Sequence, residues 1–333
     1  VPSDRPIFVV GCPRSGTTML QLMLHAHPRI ALPPENRFVL PAYTRRHDFG
    51  DLTVAGNRRK LGDWIVAERA FGDLGLDPGH VVEEVVAAPP TLGSALGAVL
   101  RAYAAKFGKP RWGDKRPAYL RHLDVIQKLF PDAQIINIVR DGRDCVASLK
   151  EVPWRQRGFG ELVDFWARAA DETRRAARRL DPATYHQVRY EDLVRDPEPA
   201  LRAMCDFLDE DYDPAMARPG EQARVAVPEY KVWHKLTHGE VTTERVQSWR
   251  TRLTPDEIRM CEAAFGHRLV QFGYELSGTP VPGPRDRARY AWHAASYRLA
   301  PAKRAIVDAK GRLRPRGAEA PVAARLTSRQ VAG

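Results

Sequence analysis

One stretch near the start of this chain limits its fold more than any other. Ile7-Phe8-Val9-Val10 is a short apolar run closed by Gly11, the pattern of a buried parallel strand. Cys12-Pro13-Arg14-Ser15-Gly16-Thr17-Thr18 follows, and then an apolar helical segment that Pro28 stops. Strand, glycine loop and helix together make a phosphate cradle: glycine permits the tight turn, and backbone N–H groups at a helix N-terminus supply positive potential. The spacing Gly11-x4-Gly16 agrees with the nucleotide-triphosphate loop, but Thr17 stands where that motif has lysine. Arg14 lies inside the loop instead, and Thr18 takes the usual hydroxyl position. No acidic residue is placed to hold a nucleotide-bound magnesium; Asp141 follows a strand but sits beside a second basic cluster. The loop therefore suits anionic oxygens gripped by arginine, hydroxyl and backbone donors, with no required metal.

The same alternation recurs along the chain. Ala133–Val139 is the clearest second strand and Tyr185–Val188 a third. Spacing predicts helices around 61–71 and over 92–107, 119–129, 143–150, 160–180 and 198–208, with a short one at 243–250. Thr254 caps a further helix, with Glu257 at the capping-box position. Gly113-Asp114-Lys115-Arg116-Pro117 reads as a loop. Continuously apolar strands alternating with helices predict an α/β protein: a three-layer, P-loop-like fold with a mainly parallel central sheet flanked by helices. Ligands are expected at the carboxyl ends of the strands.

Charge divides the 333 residues. The chain carries a net +11, of which residues 281–333 supply +9 through 12 basic against 3 acidic residues. The body is thus near neutral, and no nucleic-acid partner is expected for it. Two parts are expected, a catalytic domain over 1–280 and a basic Arg/Ala/Pro-rich extension over 281–333. The extension reads as a solubilising tail; an anionic membrane surface or an acidic partner is the contact it would make. No window reaches ~18 apolar residues, so no transmembrane segment is expected. Four cysteines without a CxxC pair suggest a reducing compartment, and the cytoplasm is the expected location. The histidines lack metal-ligand spacing. Monomer and homodimer both suit such a chain.

Two motifs now carry a likeness. Cys12-Pro13-Arg14-Ser15-Gly16-Thr17-Thr18 resembles the 5′-phosphosulfate loop of sulfotransferases that use 3′-phosphoadenosine-5′-phosphosulfate (PAPS). Val139-Arg140-Asp141-Gly142-Arg143-Asp144 through Ser148 resembles their 3′-phosphate motif, an arginine at a strand end and a serine eight residues on. The resemblance extends over roughly residues 5–275. The stretch from Pro13 to Pro41 is similar to the branch that includes protein-tyrosine sulfotransferases and many bacterial small-molecule or carbohydrate enzymes.

The resemblance implies the following roles. PAPS is the sulfuryl donor and 3′-phosphoadenosine-5′-phosphate (PAP) the product, with no metal. Arg14, Ser15, Gly16, Thr17 and Thr18 cradle the phosphosulfate. Arg140 and Ser148 grip the 3′-phosphate, helped by the N-terminal N–H groups of the helix that begins at Asp141-Gly142. Glu35, 21 positions after Arg14, matches the catalytic glutamate of the protein-tyrosine enzymes, and Lys115 their catalytic lysine. The cytosolic branch uses a histidine base near the 3′-phosphate motif, and no histidine lies between Arg140 and Thr184 here. Tyr190, in Arg189-Tyr190-Glu191-Asp192-Leu193, stands near the adenine or packs as a core aromatic. The late loop that closes the cofactor site falls around Lys235, Thr237, His238 and Gly239.

The function implied is in-line sulfuryl transfer from PAPS to an acceptor hydroxyl of a small-molecule alcohol, phenol, sugar or lipid. Glu35 is the general base. Protein-tyrosine sulfation, a P-loop kinase and a non-catalytic sulfotransferase-like binding protein are the alternatives. Plain roles compete residue by residue: Glu35 and Lys115 as solvated loop charges, Thr17 and Thr18 as helix caps, Arg140 as an ion-pair partner of Asp144.

Overall fold

A computed structural model of the chain describes residues 4–152, 158–220, 242–280, 282–295 and 322–323. Among the described residues there are five strands: β1 (Ile7–Gly11), β2 (Ile30–Ala31), β3 (Arg111–Lys115), β4 (Gln134–Val139) and β5 (Tyr185–Arg189). They pair in the order β2-β3-β1-β4-β5, and every pair is parallel. The helices that position the site are α1 (Thr17–Ala26), α2 (Val39–Thr44), α3 (Ala55–Val66), α4 (Pro78–Ala87), α5 (Leu92–Lys106), α6 (Leu123–Leu129), α7 (Gly142–Lys150), α8 (Phe159–Arg179), α9 (Tyr190–Arg195) and α10 (Pro197–Leu208). A long helix, Pro255–Gln271, follows near the end.

Period-two alternation along β1 sorts the layers. Ile7 and Val9 join a core with Leu20, Met23 and Leu24 of α1, Ile136 and Ile138 of β4, and Leu201 and Met204 of α10. Phe8 and Val10 face the opposite side, with Leu96 and Val99 of α5, Ile126 of α6, Val146 of α7 and Trp166 of α8. Both faces of the sheet are thus covered, which makes the three-layer α/β architecture.

Two strands depart from expectation. Residues 113–117 are not simply a loop, because β3 runs through Gly113-Asp114-Lys115, and β2 is a further short strand. β3 has no apolar run. Its charged side chains are buried because each has a partner: Arg111 donates to Glu210 Oε1 (3.0 Å), Gln134 Oε1 (2.7 Å) and the carbonyls of Leu208 and Arg5. The helix expected around 61–71 lies at Ala55–Val66. The one expected over 119–129 divides into a 3-10 turn, Pro117–Arg121, and α6. The segment expected as a helix at 243–250 is mostly turn, with one helical turn at Trp249–Arg252. The capping box of Thr254 and Glu257 is formed, with each side chain bonded to the other's backbone N–H.

Two parts of the basic extension lie against the body. Residues 284–295 are helical. Tyr290 and Ala294 are buried there, and the Tyr290 hydroxyl donates to Asp164 Oδ1 of α8 at 3.1 Å. Further on, the Val322 carbonyl accepts from Gly93 N at 2.9 Å. Among the described residues no helix is long and apolar enough to cross a membrane.

Candidate active site

The loop between β1 and α1 turns in left-handed backbone at two places. Gly16 has φ 100°, and a Cβ there would stand 2.6 Å from Tyr190 Cδ2. Arg14 has φ 72°, a conformation that costs a non-glycine residue about 1–2 kcal/mol and is kept where structure over-determines it. Here the Arg14 carbonyl accepts from Arg140 Nη1 at 3.0 Å, and Arg14 Nε donates to Ser148 Oγ at 2.9 Å. The N-terminus of α1 has no side-chain cap and no acidic residue in its first turn. Its N–H groups and dipole are therefore available to an anion. Ser15 is fully buried, and its Oγ has no hydrogen-bond partner among the described residues.

Arg140 leaves the carboxyl end of β4 and is buried. One face of its guanidinium lies 4.2 Å from the centroid of the Tyr190 ring. Nη2 donates to the Arg245 carbonyl at 2.5 Å, while Nε has no hydrogen-bond partner. Tyr190 is thus a buried brace between Gly16 and Arg140. Asp144 lies 4.0 Å from Arg140 Nη2, so the competing ion pair exists in stretched form. That carboxylate is occupied elsewhere: it accepts from Gln247 N (2.9 Å), Ser248 Oγ (2.9 Å) and Trp249 N (2.8 Å). The segment so anchored brings Arg245 and Arg252 toward the loop. Burial, then the charges of Arg140, Arg252 and Arg245, hold the Arg14 guanidinium below its usual pKa. Arg252 is itself paired with Glu151 at 2.6 Å; the clustered guanidinium groups of Arg14, Arg140 and Arg245 give the cradle a positive potential that suits anionic oxygens.

One expectation is corrected. The N-terminus of α7 is not open to a 3′-phosphate. Asp141 caps it by accepting from Arg143 N at 2.9 Å, and Glu191 Oε1 accepts from Asp141 N at 3.0 Å. Arg143 belongs to that acidic cluster, paired with Asp141 at 2.7 Å and Glu262 at 2.8 Å.

The other half of the site comes from β2 and β3. Lys115, at the carboxyl end of β3, is buried, with Nζ 3.1 Å from Glu35 Oε2 and 3.5 Å from Thr18 Oγ1. Glu35 retains a third of its side-chain exposure. Glu35, Lys115 and the Thr18 hydroxyl therefore meet where the loop and the strand ends converge, and the reading of Glu35 and Lys115 as separate solvated charges does not hold. Lys235, with Thr237, His238 and Gly239, lies outside the described residues. Arg245 and Arg252 were not singled out from sequence; their only signal is a basic run beside Trp249.

A parallel sheet carrying an anion loop that has Thr17 in place of the triphosphate loop's lysine, with an adjoining acid–lysine pair, defines a group-transfer site on a P-loop-like scaffold. The family model described as "Sulfotransferase family" matches residues 6–214, and the chain belongs to that family: it is a sulfotransferase. It is 28% identical over 293 residues to protein-tyrosine sulfotransferase 1 of Danio rerio, an alignment spanning 83% of this chain and 74% of that protein. It is 30% identical over 294 residues to the nodulation protein NoeE of Sinorhizobium fredii, spanning 81% of this chain and 66% of that protein. Among solved structures, the sulfotransferase domain of a Synechococcus olefin synthase superposes with a TM-score of 0.55 at 26% identity, covering 83% of this chain and 96% of that one. The sulfotransferase domain of the curacin biosynthetic pathway gives 0.58 at 22% identity, over 83% and 100%.

Proposed function

We propose that this sulfotransferase takes its sulfuryl group from PAPS and passes it to the hydroxyl of an alcohol, phenol, sugar or lipid. The observation that carries the donor assignment is the cradle itself. Arg14, Arg140 and Ser148 converge beside the uncapped α1 N-terminus, and two buried donors, Ser15 Oγ and Arg140 Nε, have no partner among the described residues. Buried polar atoms are nearly always paired, so such a site fits a ligand rich in acceptor oxygens. Arg140 and Ser148 hold the 3′-phosphate in this reading. Arg14 and the Ser15–Thr18 backbone and hydroxyls hold the phosphosulfate.

The bond from sulfur to the bridging phosphate oxygen breaks as the bond from sulfur to the acceptor oxygen forms. Lys115 neutralises the charge that builds on the bridging oxygen, and Glu35 receives the acceptor proton. A carboxylate is a weak base toward a neutral hydroxyl, so this proton moves late, once the forming sulfur–oxygen bond has acidified it. The transferred group carries less charge than a terminal phosphoryl group, and side-chain and backbone donors can meet that demand.

Calorimetric titration with PAP in EDTA, with ATP as the comparison, tests the donor. Metal-free PAP binding tighter than ATP binding is expected; tighter, magnesium-dependent ATP binding would overturn the reading. The protein-tyrosine relatives raise a tyrosyl peptide as the alternative acceptor. A PAPS turnover screen that sets such peptides beside small phenols, alcohols and sugars decides between them.

A further inference from the structure

Glu35 and Lys115 stand 80 positions apart in the chain. Glu35 lies in a loop after a two-residue strand and Lys115 at the end of β3, yet their charged atoms meet at 3.1 Å. Beside them is a carboxylate with no part in the chemistry described above. Asp114 is fully buried. Its Oδ1 accepts from Asn36 Nδ2 at 2.8 Å and from Lys115 N at 2.8 Å, and its Oδ2 accepts from the Tyr119 hydroxyl. Asn36 is the residue after Glu35, and Lys115 the residue after Asp114. One carboxylate therefore grips the neighbour of the base and the backbone of the lysine together. Tyr119, also fully buried, packs edge-on against Phe8 of β1 with ring centroids 5.8 Å apart. The grip is thereby referred to the central strand that carries the loop.

We infer that Asp114 is a positioning residue that fixes Glu35 relative to Lys115 for sulfuryl transfer. This rests on the roles given to Glu35 and Lys115 above. Four groups face the carboxylate: Asn36 from the loop after β2, Lys115 and Arg116 from the end of β3, and Tyr119 from the following turn. Burial pushes its pKa up to about 7 against those hydrogen bonds and the two nearby cations. A carboxyl buried at such a place is poorly explained by stability alone. Its geometric role is what the three donors supply: a separation that a shift of about 1 Å would spoil at a cost of about 100-fold in rate.

The test compares Asp114→Asn, Asn36→Ala and the double variant in the full chain. Four quantities are read: melting temperature, PAP affinity, PAPS turnover (hydrolysis to PAP and sulfate, with no acceptor needed), and the rate at which an amine-acylating reagent modifies Lys115. Each single variant is expected to lower turnover about 10- to 100-fold and to speed Lys115 modification, with PAP affinity within about twofold because the cradle is built on β1 and β4. The double variant is expected to be no worse than the worse single, since both cut one link. The limb of the turnover–pH profile near pH 7 is expected to vanish in Asp114→Asn. Wild-type turnover and wild-type Lys115 reactivity in Asp114→Asn would overturn the inference, as would additive losses. Should Asp114→Asn fold poorly, Tyr119→Phe removes one donor alone, and unchanged Lys115 reactivity there refutes the grip. A wild type that neither binds PAP nor consumes PAPS would defeat the donor reading instead, and Lys115 reactivity would still report the link.

Discussion

Replacing Arg140 with alanine should weaken PAP binding far more than binding of 5′-AMP, which lacks the 3′-phosphate. The guanidinium is buried, spends one N–H on the Arg14 carbonyl and one on the Arg245 carbonyl, and keeps Nε without a partner. A hydrogen bond to a charged group contributes about 1.5–3 kcal/mol, which converts to about 10- to 150-fold in affinity. The same change leaves two backbone carbonyls without their donor, so the melting temperature should also fall. Arg140→Lys keeps the charge but not the fork and should lie between wild type and alanine. Calorimetry with both nucleotides, on protein shown by circular dichroism to be folded, reads the difference. An equal loss for PAP and 5′-AMP would refute the placement of the 3′-phosphate at Arg140 and point to a collapsed loop.

Further outcomes follow from other parts of the site and core. Glu35→Gln should cut turnover by about 10²- to 10⁴-fold while PAP affinity stays within about threefold; normal turnover removes Glu35 as the base. Gly16→Ala should lower both melting temperature and PAP affinity, since the left-handed φ costs about 1–2 kcal/mol and the new Cβ meets Tyr190 at 2.6 Å; an unchanged melting temperature contradicts this. His25 is fully buried, with Nδ1 accepting from Leu32 N, and burial followed by the charge of Lys109 pulls its pKa down to about 4. The unfolded chain takes up this proton below about pH 6.5 and the folded one only near 4, so stability present above 6.5 is lost as pH falls, by at most about 3 kcal/mol. An NMR titration showing His25 protonating near pH 6.5 would refute this.

Sequence made some of this plain and hid the rest for physical reasons. β1, β4 and β5 are legible because the first two are apolar on both faces and the third follows a turn. β3 is not, because Arg111, Asp114 and Lys115 are buried by partners that lie as far as 106 positions away, and no local pattern encodes a partner. Arg14 stood out inside the glycine loop and Arg140 and Ser148 through the resemblance of their motif, and the structure joins the three by two hydrogen bonds. Glu35 and Lys115 stood out only through family resemblance. The links that hold the site were silent: Asp144 to residues 247–249 spans more than a hundred positions, as no motif spacing does.

The strand order has a consequence for how the protein is made. β1 leaves the ribosome before β3 and β4 but lies between them in the sheet. Neither hydrogen-bonding edge of its backbone can be paired until residues 111–115 and 134–139 have been synthesised. A nascent chain short of that length carries a bare, wholly apolar strand that is free to pair with other chains. Fragments that contain β1 but end before β3 should therefore aggregate, because the strand that leads into the cradle has both its partners downstream.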